Sequence, residues 1–236
     1  MKDDREENMR FIPIILFAFA FAFASGDKLG DAVKYMDEVL SVYVPWAVES
    51  AGLDLYEMPN FSLNSQNRSS DGAVTNIKVM YHSGNLTGLQ TVNRKSCQEP
   101  SWSSGNISVV CNIVLPKIDV KYEGRFQAIK GLETGVHIRG HNFGVKMSIV
   151  DLEAEIEVTS SPHVKVPAVK RLSLVNQGKP SISFATVGDP IVNHSYEEMS
   201  GHFYHKYTNL FQELFQGAYQ KALGRAVASV SYPEQQ

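Results

Sequence analysis

The chain has few of the features that mark enzymes, nucleic-acid-binding proteins or metalloproteins. Its 236 residues include only two cysteines, and 25 acidic residues slightly outnumber 22 basic ones, for a formal net charge of -3. Binding to a phosphate backbone needs clustered Lys and Arg, so we expect no nucleic-acid partner. The sequence also lacks G-x-S-x-G, H-E-x-x-H, phosphate-loop and G-x-G-x-x-G motifs. We therefore expect no enzyme activity, no cofactor and no bound metal.

Long apolar runs are also scarce, and the one exception lies near the N-terminus. Residues 11–24 read FIPIILFAFAFAFA, follow Arg10 and end in the small-residue pattern Ala22-Phe23-Ala24. The run is too short to span a membrane and is typical of a signal peptide. We interpret 1–24 as a signal peptide and 25–236 as one secreted, extracellular domain without stable membrane insertion. A buried or membrane-anchor helix is the alternative.

For a secreted protein, the two cysteines and several asparagines predict covalent modifications. An even cysteine count in an oxidising compartment predicts a disulfide, here between Cys97 and Cys111. The intervening residues are rich in turn formers, as expected if the bridge joins the ends of a hairpin. Five Asn-x-Ser/Thr sequons predict glycosylation, at Asn60, Asn67, Asn85, Asn106 and Asn193.

The first segment after the apolar run has the apolar spacing of a helix. Positions three and four apart share one face between 29 and 49, namely Leu29, Val33, Met36, Leu40, Tyr43 and Ala47. Pro45 predicts a kink or a new turn, because proline cannot donate a backbone hydrogen bond.

From residue 61 to residue 184 the apolar spacing changes to every second residue. The clearest runs are Phe143 to Ile149 and Leu152 to Val158, and three glutamates alternate with apolar residues in the second. Val164 and Val166 continue the pattern, and Gly, Pro and Ser clusters separate the runs. This alternation predicts an antiparallel meander with one solvated face and one apolar face.

The last segment returns to helical spacing and completes the fold prediction. A helix is predicted from about 196 to 230, and its apolar face is formed by Phe203, Tyr207, Leu210, Phe211, Leu214 and Ala218. We predict an α+β fold in which a long antiparallel β-meander curls around the N-terminal and C-terminal helices.

The apolar sheet face must be covered by the two helices, and imperfect filling would leave an elongated apolar pocket. We expect this pocket to bind a hydrophobic small molecule or lipid. The candidate lining residues face the sheet or the helices and are Val33, Met36, Leu40, Tyr43, Met147, Phe203, Tyr207, Leu210, Phe211 and Leu214. The same residues would also form an ordinary packed core.

Two weaker signals for charged ligands have simpler explanations. His202 and His205 lie three residues apart on the last helix, a spacing that allows a metal site but also suits solvated side chains near a helix start. The basic residues between 163 and 171 could contact anionic lipid head groups, but they directly follow the strand that carries Glu153, Glu155 and Glu157.

Three short segments carry a family resemblance. They are GLDLYEMPNFSL at 52–63, GLQTVNR at 88–94 and IDVKY at 118–122. With the order helix, meander, helix, they resemble the tubular lipid-binding superfamily, which includes juvenile-hormone-binding and takeout-like proteins and bactericidal permeability-increasing protein. Within it the chain resembles the group 7 mite allergens and related arthropod secreted proteins. The resemblance implies an apolar groove for a lipid.

Together these features predict extracellular binding and transport, or scavenging, of a fatty acid, terpenoid or phospholipid. The alternative is a secreted interaction protein that recognises a microbial lipid or a host macromolecule through its surface. A lipocalin-type barrel is a third alternative, but the long first helix and the absence of a G-x-W strand argue against it. A homodimer is left open.

Overall fold

The computed structural model describes residues 28–68, 74–103, 105–132, 135–161, 166–185 and 196–232. The expected signal peptide and the sequon at Asn193 lie outside these ranges. Within these ranges, a helix precedes nine strands in one antiparallel sheet, and a second helix follows them. The predicted α+β class is therefore confirmed. Buried residues from both helices and the sheet belong to one apolar core.

The first helix, α1, contains a π-helical turn that shifts its buried face. It runs over 28–38, through the π-helical turn Val39–Tyr43, and on through Val44–Ser50. The Val44 N–H donates to the Val39 carbonyl, five residues back. The helix thus continues past Pro45 instead of restarting there. Its buried residues are Ala32, Tyr35, Met36, Val39, Leu40, Val44, Ala47 and Val48.

The last helix, α2, is shifted by a π-helical turn in the same way. It runs through Tyr196–Leu214, the π-helical turn Phe215–Tyr219 and Gln220–Ala228. The prediction that Ala218 continues the apolar face is wrong, because the extra residue in the turn exposes it and buries Phe215 and Tyr219 instead.

Two long strands form the centre of the sheet. The strands are β1 (Tyr56–Met58), β2 (Phe61–Arg68), β3 (Val74–Thr87), β4 (Asn93–Cys97), β5 (Ser101–Ser103), β6 (Asn106–Leu132), β7 (Gly135–Ser160), β8 (Ala168–Asn176) and β9 (Lys179–Ala185). β6 and β7 pair along nearly their whole length. Val166 was predicted to continue a strand, but it lies in a bend before β8 and is 54% exposed.

An irregular line crosses the sheet and divides it into two parts. Pairing of β6 with β7 passes from Leu115↔Leu152 to Lys117↔Val150, so Pro116 and Asp151 stand opposite each other without pairing, while the register on both sides stays the same. Asp151 has a φ of 56°, in the left-handed region. We call this line the seam.

Two glycines extend the seam to the outer strands. Gly88, between β3 and β4, has a φ of 104°, and a Cβ there would lie 2.2 Å from the Lys117 carbonyl oxygen. Gly178, between β8 and β9, has a φ of 72°, and its Cβ would lie 2.5 Å from the Val150 oxygen. Only glycine fits this combination of positive φ and close backbone approach.

The seam separates two halves with different pairing partners. The disulfide half comprises β4, β5, residues 106–115 of β6, residues 152–160 of β7, and β8. The aromatic half comprises β1, β2, β3, the rest of β6 and β7, and β9.

The disulfide half carries the packing of the two helices on each other. α1 packs against Gln220–Ala228 of α2, which in turn packs on β8. The Tyr35 hydroxyl donates to the Val227 carbonyl at 3.1 Å. Cys97 and Cys111 are joined by a disulfide between β4 and β6, as their even count predicts.

Ion pairs run along the solvated side of the disulfide half. Lys95 Nζ lies 2.8 Å from Glu153 Oε1, and Lys170 Nζ lies 2.8 Å from Glu157 Oε1. The Lys170 hydrogen bond, and next that of Ser108, lower the pKa of the Glu157 carboxyl. The acidic residues of this strand thus face the cations of neighbouring strands.

The aromatic half is held under the first part of α2 by ring packing. Phe203 is fully buried and its ring centroid lies 5.2 Å from that of Tyr81 and 5.8 Å from that of Tyr122. Phe61 stacks on Tyr81 at 4.7 Å. Aromatic pairs in this distance range contribute roughly 0.5–1.5 kcal/mol each beyond the area they bury.

Candidate functional site

A small cavity lies where α2 crosses the seam. Its volume is about 30 Å³. It is lined by residues of β7, β8, the β8–β9 connection and α2, namely Ile149, Leu152, Leu174, Gln177, Tyr204, Tyr207, Thr208, Phe211 and Gln212.

The seam explains why the sheet contributes two side chains to this cavity. Side chains of a regular strand alternate between the faces, so residues three apart would face opposite sides. At Asp151, which has a left-handed backbone, the alternation changes phase by one residue, so that Ile149 and Leu152 are both buried on the apolar face. The two therefore meet α2 at the same place.

The cavity has a polar mouth and an apolar floor. Gln177 and Gln212 are exposed, whereas Tyr207 and Phe211 are 2% and 3% exposed. The Tyr204 hydroxyl donates to Gln177 Oε1 at 3.3 Å, and this bond links α2 to the β8–β9 connection. A largely apolar lining with a few polar side chains suits a hydrophobic ligand.

The Tyr207 hydroxyl is the unusual polar group at this site. It is buried and has no hydrogen-bond partner in the part of the chain that the structure describes. Burial, with Tyr204 and Tyr122 nearby, holds the pKa of its hydroxyl well above the ordinary value. A buried donor without a partner costs about 1–3 kcal/mol, so such groups are rare in native proteins.

Two of the ten predicted lining residues, Tyr207 and Phe211, line this cavity. Four others are buried in the core around α1, the aromatic half or the later turns of α2, namely Met36, Leu40, Phe203 and Leu214. Met147 is buried on the sheet, one inward position before Ile149. Val33, Tyr43 and Leu210 are half-buried. A ligand role for these eight residues stays a prediction.

Sequence reasoning missed the strand residues of the cavity, although a signal for them exists. The alternating runs end at Ile149 and resume at Leu152, and on the paired strand they end at Leu115 and resume at Ile118. Both phase breaks coincide in the register. Such coincident breaks mark the place where both strands change the face that is buried.

The predicted glycosylation sites among the described residues and the histidine pair lie outside the cavity. Asn60 and Asn106 are exposed, Asn85 is half-buried beside the β3 bulge, and Asn67 lies in β2. Their glycosylation stays a prediction. His202 and His205 are exposed on α2, and among the described residues no group of three or more His, Cys, Asp or Glu side chains could hold a metal ion. In the same ranges, neither helix is long and apolar enough to cross a membrane.

Comparison with known proteins finds one similar sequence over nearly the full length. The chain is 23% identical to salivary anticoagulant protein P23 of Ixodes scapularis, over 94% of this chain and 96% of that protein. No protein-family model matches the chain.

Two solved structures show weaker likeness. Takeout 1 of Epiphyas postvittana matches 83% of this chain and 92% of its own, with a TM-score of 0.40 and 14% identity. Lipopolysaccharide binding protein matches 84% of this chain with a TM-score of 0.40 and 6% identity, and this chain spans 37% of its length. In the order of its helices and strands, the chain resembles the tubular lipid-binding superfamily.

Proposed function

We propose that this protein is a secreted carrier or scavenger that binds a hydrophobic ligand, such as a fatty acid, terpenoid or phospholipid, between α2 and the sheet. The observation that carries the proposal is the cavity at the seam, where buried aromatic side chains of α2 meet aliphatic side chains of β7. Apolar lining with a few polar groups at one end is typical of sites for such ligands.

Ligand binding requires this cavity to widen. Its volume of about 30 Å³ holds roughly two water molecules, whereas pockets for drug-sized ligands occupy about 300–1,000 Å³. The irregular pairing at Pro116 and Asp151 gives the sheet a place to bend. Ring contacts, which hold α2 on the aromatic half, can re-form around an inserted apolar chain because they are weakly directional.

Secretion is supported by two features. The disulfide between Cys97 and Cys111 is of a kind that persists in oxidising compartments and is rare in the cytosol. The apolar segment 11–24 has the length and the small-residue end of a signal peptide. N-terminal sequencing of protein collected from the medium of expressing cells checks this part of the proposal, with a start at Ser25 expected.

Lipid extraction from the secreted protein tests the carrier function. Protein purified from the medium is extracted with organic solvent, and bound lipid is counted by mass spectrometry. We expect about one lipid per chain. Leu174→Trp, which adds bulk to the cavity lining, should lose it, because an indole fills the space that the ligand needs.

The neighbouring residue supplies a matched control. Val175 is 61% exposed beside Leu174 in β8, so Val175→Trp places the same side chain outside the cavity and should keep the lipid. A wild-type protein that carries no lipid and takes up none of a series of offered lipids would contradict the proposal. Equal lipid content in the two tryptophan variants would contradict the location.

A second function, surface binding of a host macromolecule, is favoured by an exposed apolar pair on α1. Val42 and Trp46 are 58% and 56% exposed and lie one turn apart, so their side chains are neighbours on the surface. Tryptophan is enriched among the residues that dominate binding interfaces. Similarity to a protein named as an anticoagulant supports a clotting factor as the partner to test.

A plasma clotting assay tests this second function. If the pair on α1 binds a clotting factor, the wild-type protein prolongs the clotting time and Val42→Ser with Trp46→Ser abolishes the effect. Trp102→Ser is the control, since Trp102 is also exposed but lies in β5 of the sheet. No prolongation by the wild-type protein, or an unchanged effect in the double variant, would remove this candidate.

A further inference from the structure

The lining of the seam cavity also bears on the kind of head group that a lipid ligand carries. Among the described residues that line this cavity, none is charged. The polar side chains among its lining residues are the amides of Gln177 and Gln212 at the mouth, and the hydroxyl-bearing Tyr204, Tyr207 and Thr208.

Two of these three hydroxyls are already engaged. The Thr208 hydroxyl donates to the Tyr204 carbonyl at 2.9 Å, and the Tyr204 hydroxyl donates to Gln177 Oε1. The Tyr207 hydroxyl is the one that is buried and without a partner among the described residues. Among the hydroxyls of the lining residues, it is therefore the one whose hydrogen-bonding capacity a ligand could satisfy once the cavity widens.

The free-energy cost of moving a head group from water into such a site differs between neutral and charged groups. An ionised carboxylate or ammonium moved out of water needs a counter-charge or several hydrogen bonds, and this lining supplies no counter-charge. An alcohol or ester oxygen needs only one donor, which a phenol supplies. The raised pKa of Tyr207 keeps this phenol protonated, and so a donor, over the whole physiological range.

We propose that the seam cavity selects lipids with an uncharged oxygen head group, such as an alcohol or an ester, and that the Tyr207 hydroxyl donates the hydrogen bond to that oxygen. The inference rests on the proposed carrier function and narrows its ligand class. Free fatty-acid anions and alkylammonium ions are the lipids that the site rejects.

Competition binding with ligands of one chain length tests the inference. The secreted protein is loaded with the uncharged fluorescent probe N-phenyl-naphthylamine and titrated with dodecanol, methyl laurate, sodium laurate and dodecylammonium at neutral pH. Dodecanol and methyl laurate should bind at least about tenfold more tightly than either ion, since a tenfold ratio corresponds to about 1.4 kcal/mol. Laurate that binds as tightly as dodecanol would overturn the inference.

Two tyrosine variants make the test specific to one hydroxyl. Tyr207→Phe should reduce the preference for dodecanol over laurate by about threefold or more, because the donor is lost. Tyr219→Phe is the matched control, since the Tyr219 hydroxyl is also buried without a partner among the described residues but does not line the cavity. Equal effects of the two variants would contradict the assigned donor.

The outcomes also separate this inference from the carrier function. If neither the probe nor any of the four lipids binds, both the carrier function and the head-group selectivity fail. If the probe and the lipids bind but the ions compete equally well, the carrier function stands and the selectivity alone is wrong.

Discussion

The two halves of the sheet are stabilised by different interactions. The disulfide half has a covalent bond, several ion pairs and two helices packed on each other. The aromatic half is covered by the first part of α2, whose Phe203 packs among the rings of β2, β3, β6 and β9.

This difference indicates which half can move. A crosslink and directional bonds fix one arrangement, whereas the burial of rings stabilises the fold without imposing a single direction of contact. We infer that the disulfide half acts as the rigid base and that α2 can separate from the aromatic half, opening the cavity at the seam between them. Five changes test the comparison, from the largest expected effect to the smallest.

Removing the ring at the centre of the aromatic half should have the largest effect. Phe203→Ala deletes a fully buried ring, so the free energy of unfolding should fall by about 3–5 kcal/mol. Urea unfolding followed by tryptophan fluorescence measures it. His202→Ala, at the exposed neighbouring position, should change stability by less than about 0.5 kcal/mol. A loss below about 1 kcal/mol for Phe203→Ala would contradict the role of the ring cluster.

Removing the crosslink should have the next largest effect. The double variant Cys97→Ala, Cys111→Ala frees a loop with a sequence separation of 14, which should lower the free energy of unfolding by about 3 kcal/mol in the chain-entropy model. Unfolding of the wild type in a reducing buffer should show the same loss. If the double variant were as stable as the oxidised wild type, the ion pairs alone would hold the disulfide half together.

Alkaline pH should act through buried tyrosines of the aromatic half and of α2. Burial raises the pKa of Tyr81 and Tyr219 well above the usual value. The folded state then keeps protons that the unfolded chain loses, so stability is complete below the unfolded pKa of about 10 and falls as the pH rises above it. The loss is about 1.4 kcal/mol per pH unit for each such tyrosine. Thermal unfolding between neutral and strongly alkaline pH measures it, and constant stability would contradict the burial.

Breaking the ion pair between α1 and β4 should have a small effect. Arg94 Nε lies 2.7 Å from Asp37 Oδ1 and Nη2 lies 3.0 Å from Oδ2, with the Asp37 side chain half exposed. Exposed pairs contribute about 0.2–1 kcal/mol, so Asp37→Ala should cost no more than that. The loss should shrink in high salt. A larger, salt-independent loss in urea unfolding would mean that the pair is structurally essential.

Two tyrosine variants should have effects of a similarly small size but of opposite sign. Tyr35→Phe removes a hydroxyl that is bonded to Val227 and should destabilise by about 1 kcal/mol. Tyr207→Phe removes a hydroxyl without a partner among the described residues, so it should leave stability unchanged or raise it by up to about 1 kcal/mol. Thermal unfolding of ligand-free protein compares them. Equal destabilisation would show that the Tyr207 hydroxyl is satisfied.

Much of the fold could be predicted because apolar spacing reports which face is buried. Leu152, Ala154, Ile156 and Val158 are all buried, as their alternation predicts. The exact helix faces could not be predicted, since both helices contain a π-helical turn. A helical face predicted at 3.6 residues per turn is therefore displaced by one position after the π-helical turn. For this reason the prediction that Ala218 lies on the apolar face was wrong.

Less of the candidate site could be predicted, because it depends on long-range geometry. The aromatic spacing of α2 indicated Tyr207 and Phe211. Leu174 and Gln177 reach the same cavity only because β8 and its following turn lie beside the seam. That contact depends on how the strands beside the seam pair with each other. In a single sequence, the only sign of this pairing is the position of the phase breaks.

Photo-crosslinking tests the central claim, that a lipid binds between α2 and the sheet at the seam, most directly. The secreted protein is incubated with a fatty alcohol that carries a diazirine, irradiated, digested and mapped by mass spectrometry. The account predicts crosslinks on Tyr204, Tyr207, Phe211 or Leu174, suppressed by excess dodecanol. Crosslinks confined to the exposed surface around Val42 and Trp46, or none that dodecanol suppresses, would contradict it.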